Sequence, residues 1–211
     1  EGQLVDSGSV IATLSGPTAS ILRGERTALN FLQRMCGIAT QTHHYACALA
    51  DTQTQIVDTR KTLPGWRELD KIAVRTGGGR NHRMDLGGGV MIKDNHIAAA
   101  GSITSAIRKV RAVAPHTLRI ECEVTTMSEL KEAVTAGADI ILLDNMNNEQ
   151  VAQCVVTARQ LAGARPIALE ASGGITLERL PSLAKTDVDY ISSGALTHSV
   201  TAADISLDFL A

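Results

Sequence analysis

The chain has 211 residues, of which 44% are hydrophobic, 20% charged and only 2% aromatic, with a net charge of −2. That length suits one sizeable domain, or one domain and part of another. The charge balance leaves no general basic field toward nucleic acid or a membrane, and the shortage of aromatics argues against base stacking with single strands.

The first residues, "EGQLVDSGSVIATLSGP", read as short strands with Gly and Pro turns. The chain opens at Glu1 rather than Met, as a processed or truncated protein would. "RGERTALNFLQRMCGIATQTHHYACAL" then reads as a long helix with a possible interruption at Gly37. From residue 55 the pattern alternates. Strands are expected at Gln55–Thr59, Val90–Lys93, Leu118–Val124, Asp139–Asp144, Pro166–Ala171 and Asp189–Ser193. Helices are expected at Trp66–Thr76, Ser102–Ala114, Met127–Ala136, Glu149–Leu161 and Leu177–Lys185. Ile103, Ile107, Val110 and Val113 form an apolar stripe at helical spacing, and a Thr at 125 or 126 caps a helix that Gly137 stops. Repeated strand–helix units imply parallel strands with right-handed crossovers, and six of them favour a barrel over an open sheet.

The cysteines, Cys36, Cys47, Cys122 and Cys154, show neither a CxxC pair nor zinc spacing. They read as reduced thiols of a cytoplasmic protein, with Cys122 and Cys154 buried. No apolar run approaches a membrane span, and no signal peptide is visible.

Ligands of parallel α/β proteins bind beyond the carboxyl ends of the strands. All six expected strands end in polar or glycine residues. The first is followed by Thr59, Arg60 and Lys61, and the second by Lys93, Asp94, Asn95 and His96. Between these two, "GGGRNHR" adds His82 and Arg83. The third carries Glu121 and Glu123, which share one side of a strand because side chains alternate. The fourth ends in Asp144 and Asn145, the fifth in Glu170, Ser172, Gly173 and Gly174, the sixth in Ser192, Ser193 and Gly194. One such ending is uninformative; six in succession are hard to explain as solvated loops. The cations suit a carboxylate or polyphosphate, the acids suit a divalent cation such as Mg²⁺, and the Ser–Gly turns suit a phosphate. Bland readings stand beside these. The glycine runs 77–79 and 87–89 are also what flexible loops look like. Either Glu121 or Glu123 could be an ion-pair partner of Lys93, and Asp144 could cap a helix. His43 and His44 read as structural or exposed.

"GERTALNFLQRMCGIAT", "DTRKTLPGWR", "GGGRNHR", "IKDNH", "ECEV", "LLDN", "EASGGI" and "SSGALTHS" occur in that order. Together they resemble the quinolinate phosphoribosyltransferase family over essentially the whole chain. The resemblance implies an α/β protein: an incomplete barrel of fewer than eight strands behind an N-terminal α/β sandwich, here truncated. It divides the chain into residues 1–52, the end of the sandwich and its connecting helix; 53–200, the catalytic barrel; and 201–211, a C-terminal helix packing back on the N-terminal domain. It implies phosphoribosyl transfer from phosphoribosyl pyrophosphate to quinolinate with decarboxylation, Mg²⁺ as cofactor, and a homodimer or higher homo-oligomer. It assigns Arg60, His82, Arg83 and Lys93 to quinolinate, with Arg26 reaching the neighbouring subunit's site. Lys61 falls near the pyrophosphate, Glu123 and Asp144 near the ribose and metal. Ser172, Gly173, Gly174, Ser193, Gly194 and His198 fall around the 5′-phosphate. Lys61, Glu123 and Asp144 are the expected catalytic residues. The segment "MDLGGGVM" departs from the bulkier family pattern. Three other readings remain open on the residues alone: a phosphoribosyltransferase for nicotinate or another ring acid, a non-catalytic nucleotide-binding subunit, and an aldolase-type barrel with Lys93 as a Schiff-base lysine.

Overall fold

The computed structural model describes residues 1–209. Helix α1, Thr18–Cys47, precedes the strand–helix units. The strands are β1 Gln55–Val57, β2 Val90–Ile92, β3 Ile120–Val124, β4 Ile140–Asp144, β5 Ala168–Ser172 and β6 Tyr190–Ser192. The helices among them are α2 Arg67–Thr76, α3 Asp94–Ala100, α4 Ile103–Val113, α5 Met127–Thr135, α6 Asn148–Ala162, α7 Leu180–Ala184 and α8 Ala195–His198.

Local chemistry explains the helix starts. Ser102 caps α4 by accepting from Ser105 N at 3.0 Å. Thr126 and Glu129 form a reciprocal capping box on α5, and Asn147 and Gln150 another on α6.

All six strands are parallel and pair in the order β1-β6-β5-β4-β3-β2. The two edge strands are neighbours in sequence, and among the described residues no strand pairing joins them. The segment after α2 lies along the open edge of β1, with Arg80 N bonding Ile56 O at 2.9 Å and Asp58 N bonding Arg80 O at 3.1 Å. From there His82 reaches both Glu121 on β3 and Glu170 on β5. In a flat sheet β1 and β3 would stand about 19 Å apart, at roughly 4.8 Å per strand. The sheet is therefore curled, and its interior receives side chains from every side.

Alternation sorts the strand residues. Ile92, Cys122, Val124, Ile141, Leu143, Leu169, Ala171 and Ile191 are buried and join one apolar cluster with Ile103 and Ile107 of α4, Leu130 of α5, Val155 of α6 and Leu183 of α7. Each fully buried Leu or Ile stabilises by about 1.5–3 kcal/mol, so this outer layer carries the fold. The register rows of the opposite set are polar toward their carboxyl ends. Glu123, Leu142, Glu170 and Tyr190 form one row, and Asp144, Ser172 and Ser192 the next.

Several expectations need correction. Residues 1–17 form no strand; they run exposed into α1, which starts earlier than expected and passes Gly37 without a break. Gly37 is there for a close approach: a Cβ would strike the carbonyl of Thr201. The C-terminal helix is absent over 201–209. That segment lies extended on α1, where Gln33 O accepts from Ala203 N at 2.9 Å and the Gln33 amide donates to Ile205 O at 2.8 Å. Those bonds take backbone groups that a helix would need. Residues 210 and 211 lie outside the described residues. Helix α3 was not foreseen, and the helix expected from Leu177 opens with a 3₁₀ turn, Leu177–Arg179. Among the described residues no helix is long and apolar enough to cross a membrane.

Candidate active site

The residues after β1 divide inward and outward roles. Asp58 is fully buried and faces α2, while Arg60 and Lys61 are exposed. Their loop is held from several sides. Thr59 Oγ1 accepts from Lys61 N at 3.0 Å, and Thr197 Oγ1 donates to Lys61 O at 2.8 Å. Arg67 bonds the carbonyls of Arg60, at 3.3 Å, and Met84, at 3.2 Å. Asp70 pairs with Arg34 of α1 through two bonds of 3.0 and 2.8 Å and also accepts from Leu63 N. Among the described residues neither Arg60 nor Lys61 has a carboxylate partner.

His82 enters the barrel from the open edge. Its Nε2 lies 3.2 Å from Glu121 Oε2 and 3.8 Å from Glu170 Oε2. Both glutamates are 4% exposed, and each leaves one buried oxygen without a partner. Burial, aided by repulsion from Glu121, pushes Glu170 up to about 7. Burial works against a charge on His82, but the hydrogen bond it donates to Glu121 and the charge of Glu170 raise its pKa on balance. This trio has the composition of a metal site, with ligand atoms within 4.8 Å of one another. The imidazole argues against that role. Its Nδ1 accepts from Arg83 N at 2.8 Å, so the ring hydrogen sits on Nε2 and points at the carboxylates.

Arg83 donates to Gly89 O at 2.7 Å, and Asp85 Oδ1 accepts from Gly87 N and Gly88 N, so the glycine run is an organised turn. Burial lowers the pKa of Arg83, and the nearby charge of Arg60 lowers it further. Lys93 pairs with Glu123 at the end of β3. That is the ion pair expected between Lys93 and one of the two β3 glutamates.

The other half of the mouth is loop backbone. Gly173 has φ +86, and a Cβ there would collide with the Asn145 side chain. Asn145 N donates to Ser172 O at 2.9 Å and its amide to Asp144 Oδ2 at 2.8 Å. Arg179 ties these turns together through Gly173 O at 3.2 Å, Met146 O at 2.6 Å and Asn148 Oδ1 at 2.9 Å. A Cβ on Gly194 would lie 2.8 Å from the His198 ring and 3.0 Å from Lys61 Cδ, so those two side chains flank the Gly194 turn. Ser193 N is held by Val57 O at 3.1 Å. Arg26 stands apart, exposed on α1 with no side-chain bond among the described residues.

Most expected site residues thus gather at one end of the barrel, with cations toward the β1–β2 edge and turns toward β5 and β6. Asp58, Lys71, Arg67, Asp70 and Arg179 hold them there and were not foreseen. Their signal in the sequence was faint: charged residues close to glycine turns or on a helix face otherwise read as solvated.

Two family models match the chain. "Quinolinate phosphoribosyl transferase, C-terminal domain" covers residues 38–208, and the corresponding N-terminal domain covers residues 1–36. The chain belongs to the quinolinate phosphoribosyltransferase family. It is 52% identical to a probable nicotinate-nucleotide pyrophosphorylase [carboxylating] of Bacillus subtilis, with 99% of this chain and 70% of that protein aligned. It is 43% identical to the human nicotinate-nucleotide pyrophosphorylase [carboxylating], over 95% of this chain and 68% of that one. The crystal structure of NadC from Streptococcus pyogenes superposes with a TM-score of 0.91 at 44% identity, covering 99% of this chain and 72% of that one. The boundary between the two family matches falls inside α1.

Proposed function

We infer that this chain is a pentosyltransferase of NAD biosynthesis. It transfers phosphoribosyl from phosphoribosyl pyrophosphate to quinolinate, releasing pyrophosphate and carbon dioxide and leaving nicotinate mononucleotide. The name its relatives carry describes the same reaction run backward, a pyrophosphorolysis with carboxylation. The observation that carries the reading is the like-charge pair Arg60 and Arg83, which repel one another and, among the described residues, have no carboxylate ion-pair partner, with His82 next in sequence to Arg83. Such a pair repels itself until an anion sits between its members, and a dicarboxylate supplies two charges at guanidinium geometry.

The reaction brings two polyanions together, which is unfavourable in a partly dry site without counter-charge. Arg60 and Lys61 supply it at the junction of the substrates. The ring nitrogen attacks the ribose C1 as pyrophosphate leaves, and Glu123 and Asp144 stabilise the positive charge that develops on that carbon. The positive charge of the now quaternary nitrogen stabilises the electron pair left on the adjacent ring carbon as its carboxylate departs as carbon dioxide. The resulting ring carbon takes a proton. Lys61, beside Gly194 and His198, is set at the pyrophosphate end; Ser172, Gly173, Gly174, Ser193 and Gly194 surround the 5′-phosphate.

The chemistry of the acids fits Mg²⁺. Asp144 commits one oxygen to Asn145 and Glu123 is paired with Lys93, so Asp144, with Glu123 directly or through water, would hold the ion on oxygen ligands. What bound Mg²⁺ would supply is neutralisation of the leaving pyrophosphate. We also read the assembly as a homodimer or larger homo-oligomer in which Arg26 serves the neighbouring subunit's site, an assignment supported by the exposure of its side chain, which makes no bond among the described residues. A cytoplasmic location accords with four free cysteines, of which Cys122 and Cys154 are buried. Turnover of quinolinate and nicotinate, each with phosphoribosyl pyrophosphate and Mg²⁺, tests the reading. Quinolinate alone should react; nicotinate alone reacting would refute the dicarboxylate site.

A further inference from the structure

The residues Arg80–Arg83 have no strand of their own. They lie on the open edge of β1, where one carboxylate holds them. Asp58 accepts from His82 N at 2.8 Å, from the Asn81 amide at 2.6 Å, and from Lys71. Lys71 donates a second bond to His82 O at 3.0 Å, and the Asn81 amide also reaches Lys71 O at 2.9 Å. Both charged side chains are out of water, Asp58 0% and Lys71 1% exposed. Desolvating two ions is a poor route to stability, because an apolar pair of the same volume does as well or better. What the pair supplies instead is direction. Outside the pair itself, each of its side-chain bonds ends on Asn81 or His82, just ahead of Arg83, and Asp58 lies two residues before Arg60.

We propose that Asp58 and Lys71 are positioning residues for quinolinate: a buried clamp across the barrel's open edge that sets Arg60, His82 and Arg83 in one arrangement. This rests on the reading of those three residues given above. The loops assigned to the phosphates hang from β5 and β6 and receive no bond from either clamp side chain. Lys61, at the pyrophosphate end, has its own supports in Thr59 Oγ1 and Thr197 Oγ1, so the clamp acts chiefly on quinolinate.

Steady-state kinetics of wild type, Lys71→Met and Asn81→Ala, varying each substrate in turn, test this, with calorimetric binding of phosphoribosyl pyrophosphate as the check on folding. A misplacement of about 1 Å in a binding group costs up to roughly 100-fold, so Lys71→Met should raise the quinolinate KM by about tenfold or more. The KM for phosphoribosyl pyrophosphate should stay within about threefold. Asn81 is exposed, so Asn81→Ala should fold and shift the quinolinate KM in the same direction by a smaller factor. Ring ¹⁵N signals of His82 should move from one tautomer toward a mixture in both variants. A folded Lys71→Met that changes both KM values equally, or neither, overturns the proposal. If Lys71→Met does not fold, an unchanged quinolinate KM and unchanged His82 signals in Asn81→Ala overturn it. A wild type that fails to turn over quinolinate sinks the functional reading instead, and the His82 signals alone then decide the clamp.

Discussion

Glu121 and Glu170, on strands separated by β4, turn their buried carboxylates onto the same imidazole. Two carboxylates this close, both shielded from water, resist ionising together. The hydrogen bond from Arg83 N keeps the ring hydrogen of His82 on Nε2, between them.

Glu170 makes stability depend on pH in a definite sense. Its pKa is raised from 4.5 to about 7 in the folded protein, by burial first and by Glu121 second. The folded state then binds more protons than the unfolded state between those values. The sign of the linkage is that stability falls as pH rises through this window. Urea unfolding between pH 4.5 and 7.5 should show that decline, and Glu170→Gln should flatten it. An unchanged slope in the variant would assign the proton elsewhere.

Arg60→Ala removes one member of the Arg60–Arg83 like-charge pair. Hydrogen bonds to charged groups are worth about 1.5–3 kcal/mol, so quinolinate binding should weaken by roughly 10- to 100-fold. Because Arg60 is exposed, the melting temperature should hardly change. Titration calorimetry with quinolinate checks this; near-normal affinity would remove Arg60 from the pocket.

Arg179→Met should act on the other substrate. Arg179 is the tie between the Gly173–Gly174 turn and the start of α6. Without it the turn loses its bracing, and the KM for phosphoribosyl pyrophosphate should rise by about tenfold, the equivalent of ~1.4 kcal/mol, with quinolinate little affected. Equal effects on both substrates would mean a general loss of packing.

Gly173→Ala combines two penalties. An L-residue in the left-handed region costs roughly 1–2 kcal/mol, and the added methyl must displace Asn145. Thermal unfolding should show the loss, and binding of phosphoribosyl pyrophosphate should fall with it.

Much of the barrel was legible because its outer layer is plain chemistry. Ile141, Leu143, Leu169 and Ile191 alternate with residues that face the interior, and Thr126 caps a covering helix as expected, whereas α6 is capped by Asn147 and not by Asp144. What escaped the sequence depends on curvature or on partners distant in the chain. Nothing local says that Glu170 meets Glu121, since that follows from the curl of β3 to β5. Lys71 sits in "RELDKIAVRT", where a lysine reads as a solvated helix charge, and only the approach of the 80–83 segment buries it. Helix α3 was missed because Asp94, Asn95 and His96 read as site residues, and the bond from Lys93 N to His96 Nδ1 that starts the helix has no familiar signature. The opening residues looked like strands from their Val, Ile and Leu content, but a strand needs a partner, and residues 1–17 have none among the described residues.

The most direct test of the central claim is the stoichiometry of the two released products. Quinolinate labelled in the carboxyl beside the ring nitrogen, incubated with phosphoribosyl pyrophosphate and Mg²⁺, should yield labelled carbon dioxide and pyrophosphate in equal amounts, with nicotinate mononucleotide as the nucleotide product. Pyrophosphate released without labelled carbon dioxide would contradict the account, because the transfer would then proceed without the loss of the carboxylate that this site is read to bring about.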